Sequence, residues 1–232
     1  MISLFFVYAA SIISNLIFTA VQSVFNVELK SVDFTAEKSA FGFFTNILFL
    51  MIAAPICEEL FFRGVLTSRV SKYGEVAAAV TTGIMFGLFH VNYEQFLYAS
   101  ILGFCTAMLF IKTRSIIPSL ILHLSLNTLG TIQSIALSDV DLEKLSQSDT
   151  EYILSHTQAI LTIALVVLVI IVIMVIGLIF LISELRNLKQ QFKSKDNTGI
   201  SELKKIRIYF QTPITIGTVV ILIAFAVFNA IG

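Results

Sequence analysis

A long apolar segment constrains this chain more than any other feature. Residues Ile160 to Ile182 include no charged residue and no proline, and about 20 consecutive apolar residues are enough for a helix to cross a bilayer. The whole chain has the same character: its 232 residues are 57% hydrophobic and 13% charged, whereas a soluble domain carries about 25% charged residues. This composition excludes a soluble globular enzyme, a disordered chain and a nucleic-acid binder. We therefore expect an all-α protein, a polytopic transmembrane helical bundle.

Apolar runs bounded by charged and turn residues predict about seven membrane spans in a single integral membrane domain, residues 1–232. The first run lacks a basic segment before it and is too long for a removable signal peptide, so we expect it to remain as a span. Cys57 and Cys105 lie in apolar runs and are expected to pack as small apolar side chains. The predicted spans cover residues 2–25, 41–62, 76–93, 95–111, 116–136, 158–183 and 213–231.

Charges outside the spans predict how the chain is oriented in the membrane. Lys+Arg and Asp+Glu number 15 each, so no net charge selects a partner, but the segment 184–211 and the turns at 69–72 and 112–114 are basic. Basic loops favour the cytoplasmic side, and the acidic segment 137–157 is expected outside. With seven spans, this places the N-terminus in the cytoplasm. The charges that decide it are Arg186, Lys189, Lys193, Lys195, Lys204, Lys205 and Arg207 on one side, and Asp139, Asp141, Glu143, Asp149 and Glu151 on the other.

Charged residues inside a predicted span mark the candidate functional site. Glu58 and Glu59 stand side by side in the second span. A charge at mid-bilayer costs about 2.5–3.5 kcal/mol on insertion scales, so two unpaired carboxylates would cost about 5–7 kcal/mol. Such residues persist when they are paired, lie near an interface or line a wet cavity. We therefore expect the function to lie in the segment 55–64.

Helical geometry separates the charges of this segment. Glu59 and Arg63 are four residues apart, so they share a helix face and can form an ion pair. Glu58 lies about 100° further round the helix and is free for chemistry. Pro55, one turn earlier, is expected to kink the helix and open a pocket beside Glu58.

Histidines in two other spans are candidate partners of Glu58. His90 ends the third span, and His123 and Asn127 are four apart in the fifth, so both point the same way. Glu58 and His90 are equidistant from Gly74 in sequence, and an antiparallel hairpin about this glycine would bring them to one depth. In the third span, Gly83 and Gly87 are also four apart and predict close packing on a neighbouring helix.

These residue types suit two forms of peptide hydrolysis. A carboxylate and an imidazole around one water can activate it as a nucleophile, while a second histidine with an asparagine can stabilise an oxyanion. Alternatively, two histidines and a glutamate can bind zinc, which lowers the pKa of a bound water. The sequence has no HExxH helix, and it does not choose between the two forms.

Three stretches together resemble the CPBP family, the CAAX prenyl proteases and bacteriocin-processing enzymes also called the Abi family. The family shows Glu-Glu-x-x-x-Arg, Phe-x-x-x-His and His-x-x-x-Asn on separate membrane helices. The resemblance covers residues 41–129, a CPBP/Abi-like catalytic core, and no motif residue departs from the pattern. The matching residues are Glu58, Glu59 and Arg63, then Phe86 and His90, then His123 and Asn127.

The resemblance implies an Rce1-like, all-helical intramembrane (metallo)endopeptidase. It implies that Glu58 is the general base with His90 beside it, and that His123 and Asn127 stabilise an oxyanion. If a metal such as Zn²⁺ is used, Glu58, His90 and His123 are its expected ligands; a metal-free water activated by glutamate is an equal alternative. Glu59 is implied as part of the catalytic group, and Arg63 and Phe86 as supporting residues.

The expected partners are the lipid bilayer and a membrane-associated peptide or protein, such as a CAAX-type, leader or pheromone peptide, and no nucleic acid. A small chain with about seven spans resembles bacterial members of this family, so we expect a bacterial plasma membrane. Two other functions stay open: a non-catalytic membrane scaffold with the same fold, and an ion or proton transporter, since buried Glu and His residues also form proton relays. Transporters more often show inverted repeats, and none is visible in the sequence.

Overall fold

The computed structural model describes residues 1–25, 40–147, 150–191 and 200–231, and within these ranges the chain forms helices and no strand. This confirms the all-α prediction. Asp149, Lys193, Lys195 and Asp196, which contribute to the predicted loop charges, lie outside the described residues. The α-helices are α1 (Ile2–Phe25), α2 (Ala40–Leu48), α3 (Ala54–Glu59), α4 (Ser68–Val70), α5 (Glu75–Phe89), α6 (Tyr93–Thr113), α7 (Ile117–Ser138), α8 (Leu142–Ser146), α9 (Thr150–Ser155), α10 (Thr157–Gln191), α11 (Glu202–Phe210) and α12 (Pro213–Ile231).

The second predicted span is longer than expected and contains two π-helical stretches. It runs without a break over Phe41–Tyr73, not to residue 62, with π-helix at Phe49–Ala53 and Leu60–Thr67 on either side of α3. We call residues 40–73 the composite helix. The first π-helical stretch directly precedes α3, in which Pro55 lies in the first turn. A wider turn accommodates a residue that has no N–H and whose ring crowds the preceding turn; the kink expected at Pro55 stays a prediction.

The composite helix and α5 form the predicted hairpin about Gly74. The rings of Phe62 and Phe86, which are equidistant from Gly74 in sequence, meet edge to face with their centroids 4.9 Å apart. Closer to the turn, the hydroxyl of Thr67 donates to that of Thr82 at 3.2 Å. The antiparallel register therefore brings residues on either side of Gly74 to matching depths.

Helix α6 lies at the centre of the bundle, in contact with α1, α5 and α7. Glycines let its neighbour α5 approach closely. A Cβ atom on Gly83 would lie 2.8 Å from the backbone nitrogen of Phe104 and 2.8 Å from the backbone oxygen of Ser100. The close packing predicted from the glycine spacing is therefore confirmed at Gly83. Helix α1 runs antiparallel along another side of α6, where the hydroxyl of Ser14 donates to the backbone oxygen of Glu94 at 2.5 Å.

Seven apolar helices correspond to the predicted spans, but the count of seven spans is not confirmed. Five helices of the described part are long and apolar enough to cross a membrane, and the bent pair Glu202–Phe210 and Thr215–Val227 raises the number to six if it counts as one span. Helix α5 has 15 residues and is about 22 Å long, short of the roughly 30 Å hydrocarbon core. Large exposed apolar side chains along α10, such as Leu165 and Leu168, face outward as expected for lipid contact. The chain is an integral, multi-pass membrane protein.

The three basic segments converge at the N-terminal end of α5. The Nζ atom of Lys112 lies 3.4 Å from a carboxylate oxygen of Glu75, and Arg114 approaches the same carboxylate at 3.9 Å. From α11, the carboxylate of Glu202 accepts the backbone N–H of Ala77 at 2.7 Å. The turns at 69–72 and 112–114 and the end of segment 184–211 therefore lie at one end of the bundle.

Candidate active site

A buried ion pair forms the base of the candidate site. The Nε atom of Arg63 lies 3.1 Å from Oε2 of Glu59, and neither side chain is exposed. Arg63 also donates from Nη2 to the hydroxyl of Thr106 on α6, and its guanidinium lies 4.9 Å from the centre of the Phe86 ring. The pairing predicted from the i, i+4 spacing is therefore confirmed.

Glu59 in turn holds His123. The Nδ1 atom of His123 lies 3.0 Å from Oε1 of Glu59, and both side chains are buried. Because Glu59 faces the cationic Arg63 as an acceptor, we assign Nδ1 of His123 as the donor in this bond. The other ring nitrogen, Nε2, is left to face Glu58.

Glu58 is separate from the ion pair, as the helical geometry predicts. Its Oε2 atom lies 3.7 Å from Nε2 of His123, and the side chain is one-fifth exposed. This separation exceeds a direct hydrogen bond, and Oε2 is a buried atom that has no hydrogen-bond partner among the described residues. A carboxylate oxygen of Glu58 that has no hydrogen-bond partner among the described residues thus lies close to the Nε2 nitrogen of His123.

His90 lies where α5 ends. Its Nδ1 atom donates to the backbone oxygen of Phe86 at 2.8 Å, which leaves Nε2 for the cavity that His90 lines together with Glu58. The next residue, Val91, has φ 51°, a left-handed conformation that is strained for a β-branched side chain. This strained residue ends α5 directly after His90.

Asn127 is bound to the composite helix. Its Nδ2 atom donates to the backbone oxygen of Leu50 at 3.0 Å. In this π-helical stretch the N–H of Ala54 bonds to Phe49, so the next amide in the i+5 register, the partner for Leu50, belongs to residue 55. Pro55 has no N–H. Asn127 therefore satisfies a carbonyl that the proline leaves without its backbone donor.

Phe86 packs at the centre of these groups. Its ring is fully buried and meets the rings of His90 and His123 edge to face, with centroids 4.9 Å and 5.5 Å apart. The same ring also contacts the ring of Phe62 and the guanidinium of Arg63. Phe86 thus fixes the positions of both histidines, in keeping with its predicted supporting role.

A cavity of about 540 Å³ opens beside the cluster. Glu58, His90, His123 and Asn127 all line it, so the structure brings the four cavity-facing site residues together, with Glu59, Arg63 and Phe86 behind them. Sequence analysis missed three contributors: Thr106, which binds Arg63, Val91, which ends α5, and Tyr8 of α1, which lines the cavity. Thr106 was detectable as a polar residue within an apolar run; the other two depend on packing and backbone conformation.

The side chains expected to bind a metal, if one is used, are Glu58, His90 and His123. In the described ranges, no group of three or more His, Cys, Asp or Glu side chains is placed to hold a metal ion. One nitrogen of His123 is bound to Glu59, and one nitrogen of His90 is bound to the Phe86 carbonyl. Both bonds use Nδ1 and leave Nε2 of each histidine available, as is common for metal-binding histidines, so metal use stays a prediction.

Comparison with known proteins finds similarity to a peptidase family over the segment that carries the cluster. Residues 40–129 match the family described as type II CAAX prenyl endopeptidase Rce1-like. Over 90 residues, the chain is 28% identical to YdiL of Bacillus subtilis (strain 168), whose name proposes it as a membrane peptidase. That similarity covers 38% of this chain, which spans 37% of the length of the relative. No solved structure matches the chain significantly.

The family match agrees with the resemblance found in the three sequence motifs. All seven predicted site residues, from Glu58 to Asn127, lie within the matched segment, and four of them line one cavity. Residues 40–129 of the chain are thus similar to the Rce1-like family.

Proposed function

We propose that the protein is an intramembrane endopeptidase that hydrolyses a peptide bond of a membrane-associated peptide with a water activated by Glu58. The observation that carries the proposal is the 3.7 Å separation between Oε2 of Glu58 and Nε2 of His123 at the cavity wall. A water molecule placed between them can donate one hydrogen to each atom. Its lone pairs then point away from both groups and toward a substrate carbonyl.

Each neighbouring residue has a proposed role in this reaction. Glu58 takes the proton of the attacking water as the C–O bond forms, and the proton passes to the leaving nitrogen as the C–N bond breaks, which yields a carboxylic acid and an amine. Transfer of the acid proton to the amine then gives a carboxylate and an ammonium group. Glu59 fixes the ring of His123 so that Nε2 faces the water. His90 offers its Nε2 atom for proton transfer at the leaving nitrogen.

Asn127 remains the candidate oxyanion donor. Its amide nitrogen carries two hydrogens, and only one is needed for the bond to Leu50. That bond holds the amide in a fixed orientation, which is the property that an oxyanion-stabilising group requires. The second hydrogen is then available to the developing oxyanion.

The cavity and the family match support a substrate class. The cavity is of a size typical for ligand sites, and a peptide segment at membrane depth needs hydrogen-bond partners once it leaves a helix. We propose an extended peptide segment of a membrane-associated chain, of the CAAX, leader or pheromone type. The membrane is proposed to be a bacterial plasma membrane, with the basic end of the bundle and the N-terminus in the cytoplasm.

Cleavage by purified protein in liposomes tests this proposal. The substrates are a defined pool of farnesylated CAAX peptides and unmodified hydrophobic leader peptides, with products identified by mass spectrometry. Wild type is expected to cleave at least one peptide, and Glu58→Gln to cleave none. Glu143→Gln, which changes an exposed carboxylate of α8, is the matched control and is expected to behave as wild type.

A chelator arm separates the two forms of the reaction. Cleavage that survives prolonged incubation with a chelator supports a water activated by Glu58 alone, and cleavage that is lost and then restored by Zn²⁺ supports the metal alternative. No cleavage of any peptide by wild type contradicts the proposal and favours a scaffold or transporter. Equal cleavage by wild type and Glu58→Gln contradicts the proposed role of Glu58.

A further inference from the structure

Tyr8 of α1 places an unsatisfied hydroxyl at the candidate active site. Its Oη atom is buried and has no hydrogen-bond partner among the described residues, and the residue lines the same cavity as Glu58. The Oε2 atom of Glu58 is also buried and has no hydrogen-bond partner among the described residues. Buried polar groups without a partner are costly and therefore rare. Two such atoms on the wall of one cavity indicate that both bind something that enters it.

The position of Tyr8 is fixed by its neighbours. Val7, the preceding residue, is buried in the same apolar cluster as Phe62 and Phe86. Six residues after Tyr8 on α1, the hydroxyl of Ser14 donates a hydrogen bond to the backbone oxygen of Glu94. Helix α1 packs mainly against α6 and α10, and the cavity is lined both by α1 and by the composite helix. The hydroxyl is therefore held at the cavity by a rigid helix.

Helix α1 presents three polar side chains to the cavity over about two turns. Tyr8, Ser11 and Asn15 all line the cavity, and their spacing places them along one side of the helix. Polar residues in a membrane helix usually face a protein interior or a wet cavity, where they have a function. Helix α1 lies outside the segment 40–129 that matches the Rce1-like family.

We propose that the hydroxyl of Tyr8 is a substrate-binding group, which hydrogen-bonds the main chain of the peptide segment held for attack beside Glu58. The inference rests on the proposed endopeptidase function. An extended peptide has backbone N–H and C=O groups free on its edges, and at membrane depth only protein groups can satisfy them. A phenol both donates and accepts, so it can serve either group. Tyr8 acts in binding and does not take part in the bond-breaking step.

Binding and turnover can be measured separately. Glu58→Gln protein, which is expected to bind without cleaving, is incubated in detergent with the same defined peptide pool, and the retained peptides are quantified by mass spectrometry. The comparison is Glu58→Gln alone against Glu58→Gln with Tyr8→Phe. Tyr8→Phe keeps the ring and removes only the hydroxyl. Tyr73→Phe, at an exposed tyrosine beside Gly74, is the matched control.

Tyr8→Phe is expected to lower retention about fivefold, the effect of one lost neutral hydrogen bond, with no change from Tyr73→Phe. In the active protein, Tyr8→Phe raises KM by the same factor and leaves kcat within about twofold.

Two results would overturn the inference in distinguishable ways. Unchanged retention and KM in Tyr8→Phe would remove the role of Tyr8 and leave the endopeptidase intact. No cleavage by wild type together with no retention by Glu58→Gln would remove the proposed function, and the substrate-binding role of Tyr8 with it.

Discussion

The side-chain amide of Asn127 donates to the backbone oxygen of Leu50 at 3.0 Å, the carbonyl for which residue 55, a proline, supplies no N–H. This bond ties α7 to the π-helical stretch that precedes α3. Glu58 and Glu59 lie at the end of α3, so the bond also fixes how the two carboxylates are presented to His123. Asn127, which the family motif implies as an oxyanion donor, thus also holds α3, the helix that carries the proposed base Glu58.

A double-mutant cycle between Asn127 and Pro55 tests this relationship. Asn127→Ala leaves a partly buried carbonyl unsatisfied and is expected to lower the free energy of unfolding by about 1–3 kcal/mol. In a Pro55→Ala background, residue 55 regains an N–H, and the loss from Asn127→Ala is expected to fall by at least half. Unfolding by SDS titration measures both. An equal loss in the two backgrounds would show that Asn127 does not compensate for the proline.

The buried ion pair predicts a strong asymmetry between single and double variants. Arg63→Gln leaves the carboxylate of Glu59 buried without its cation and is expected to cost about 3–5 kcal/mol of unfolding free energy. Changing both Glu59 and Arg63 to Gln is expected to cost less than Arg63→Gln alone.

The surface pair of Lys112 and Glu75 provides the control for this experiment, because Lys112→Gln should cost less than about 1 kcal/mol. A double variant as unstable as the sum of the two single variants would contradict the pairing.

The close approach of α5 and α6 predicts opposite outcomes for two glycine-to-alanine substitutions. At Gly83 an added Cβ would meet the backbone of α6 at 2.8 Å, so Gly83→Ala should force the helices apart and lower stability by about 1–3 kcal/mol. At Gly64 no atom lies within 4 Å of an added Cβ, and alanine is the better helix former by about 1 kcal/mol. Gly64→Ala should therefore be neutral or stabilising. Equal thermal stabilities of the two variants would contradict the packing.

The convergence of the basic segments predicts which end of the bundle faces the cytoplasm. After replacement of Cys57 and Cys105 by alanine, a single cysteine is introduced either by Ser115→Cys, at the basic end, or by Ser146→Cys, in the acidic segment. In intact bacterial cells, a membrane-impermeant maleimide is expected to label Ser146→Cys and not Ser115→Cys. The reverse labelling pattern would invert the proposed orientation.

Local spacing was sufficient for part of the site. The i, i+4 separation of Glu59 and Arg63 predicted their ion pair, and the positions of Phe62 and Phe86 about Gly74 agree with the predicted hairpin. These features depend only on the helical repeat and on one turn. The all-helical fold followed from composition for the same reason: the bilayer leaves few alternatives.

Features that depend on several helices at once were not accessible from the sequence. The pairing of Glu58 with His123 requires the lateral placement of α7, which no spacing along the chain fixes. The π-helical stretches and the left-handed Val91 are responses of the backbone to Pro55 and to the end of α5. The number of spans was also uncertain, because the apolar character of α5 does not reveal that it is too short to cross a bilayer alone.

The central claim is that Glu58 activates the attacking water, and a single-turnover measurement tests it most directly. Wild type, Glu58→Gln and the control Glu143→Gln are compared in liposomes with one cleaved peptide at saturating concentration. A general base contributes about 10²–10⁴-fold to the rate, so Glu58→Gln is expected to lose at least a hundredfold while it retains the peptide as wild type does. A Glu58→Gln protein that cleaves within tenfold of the wild-type rate would contradict the account.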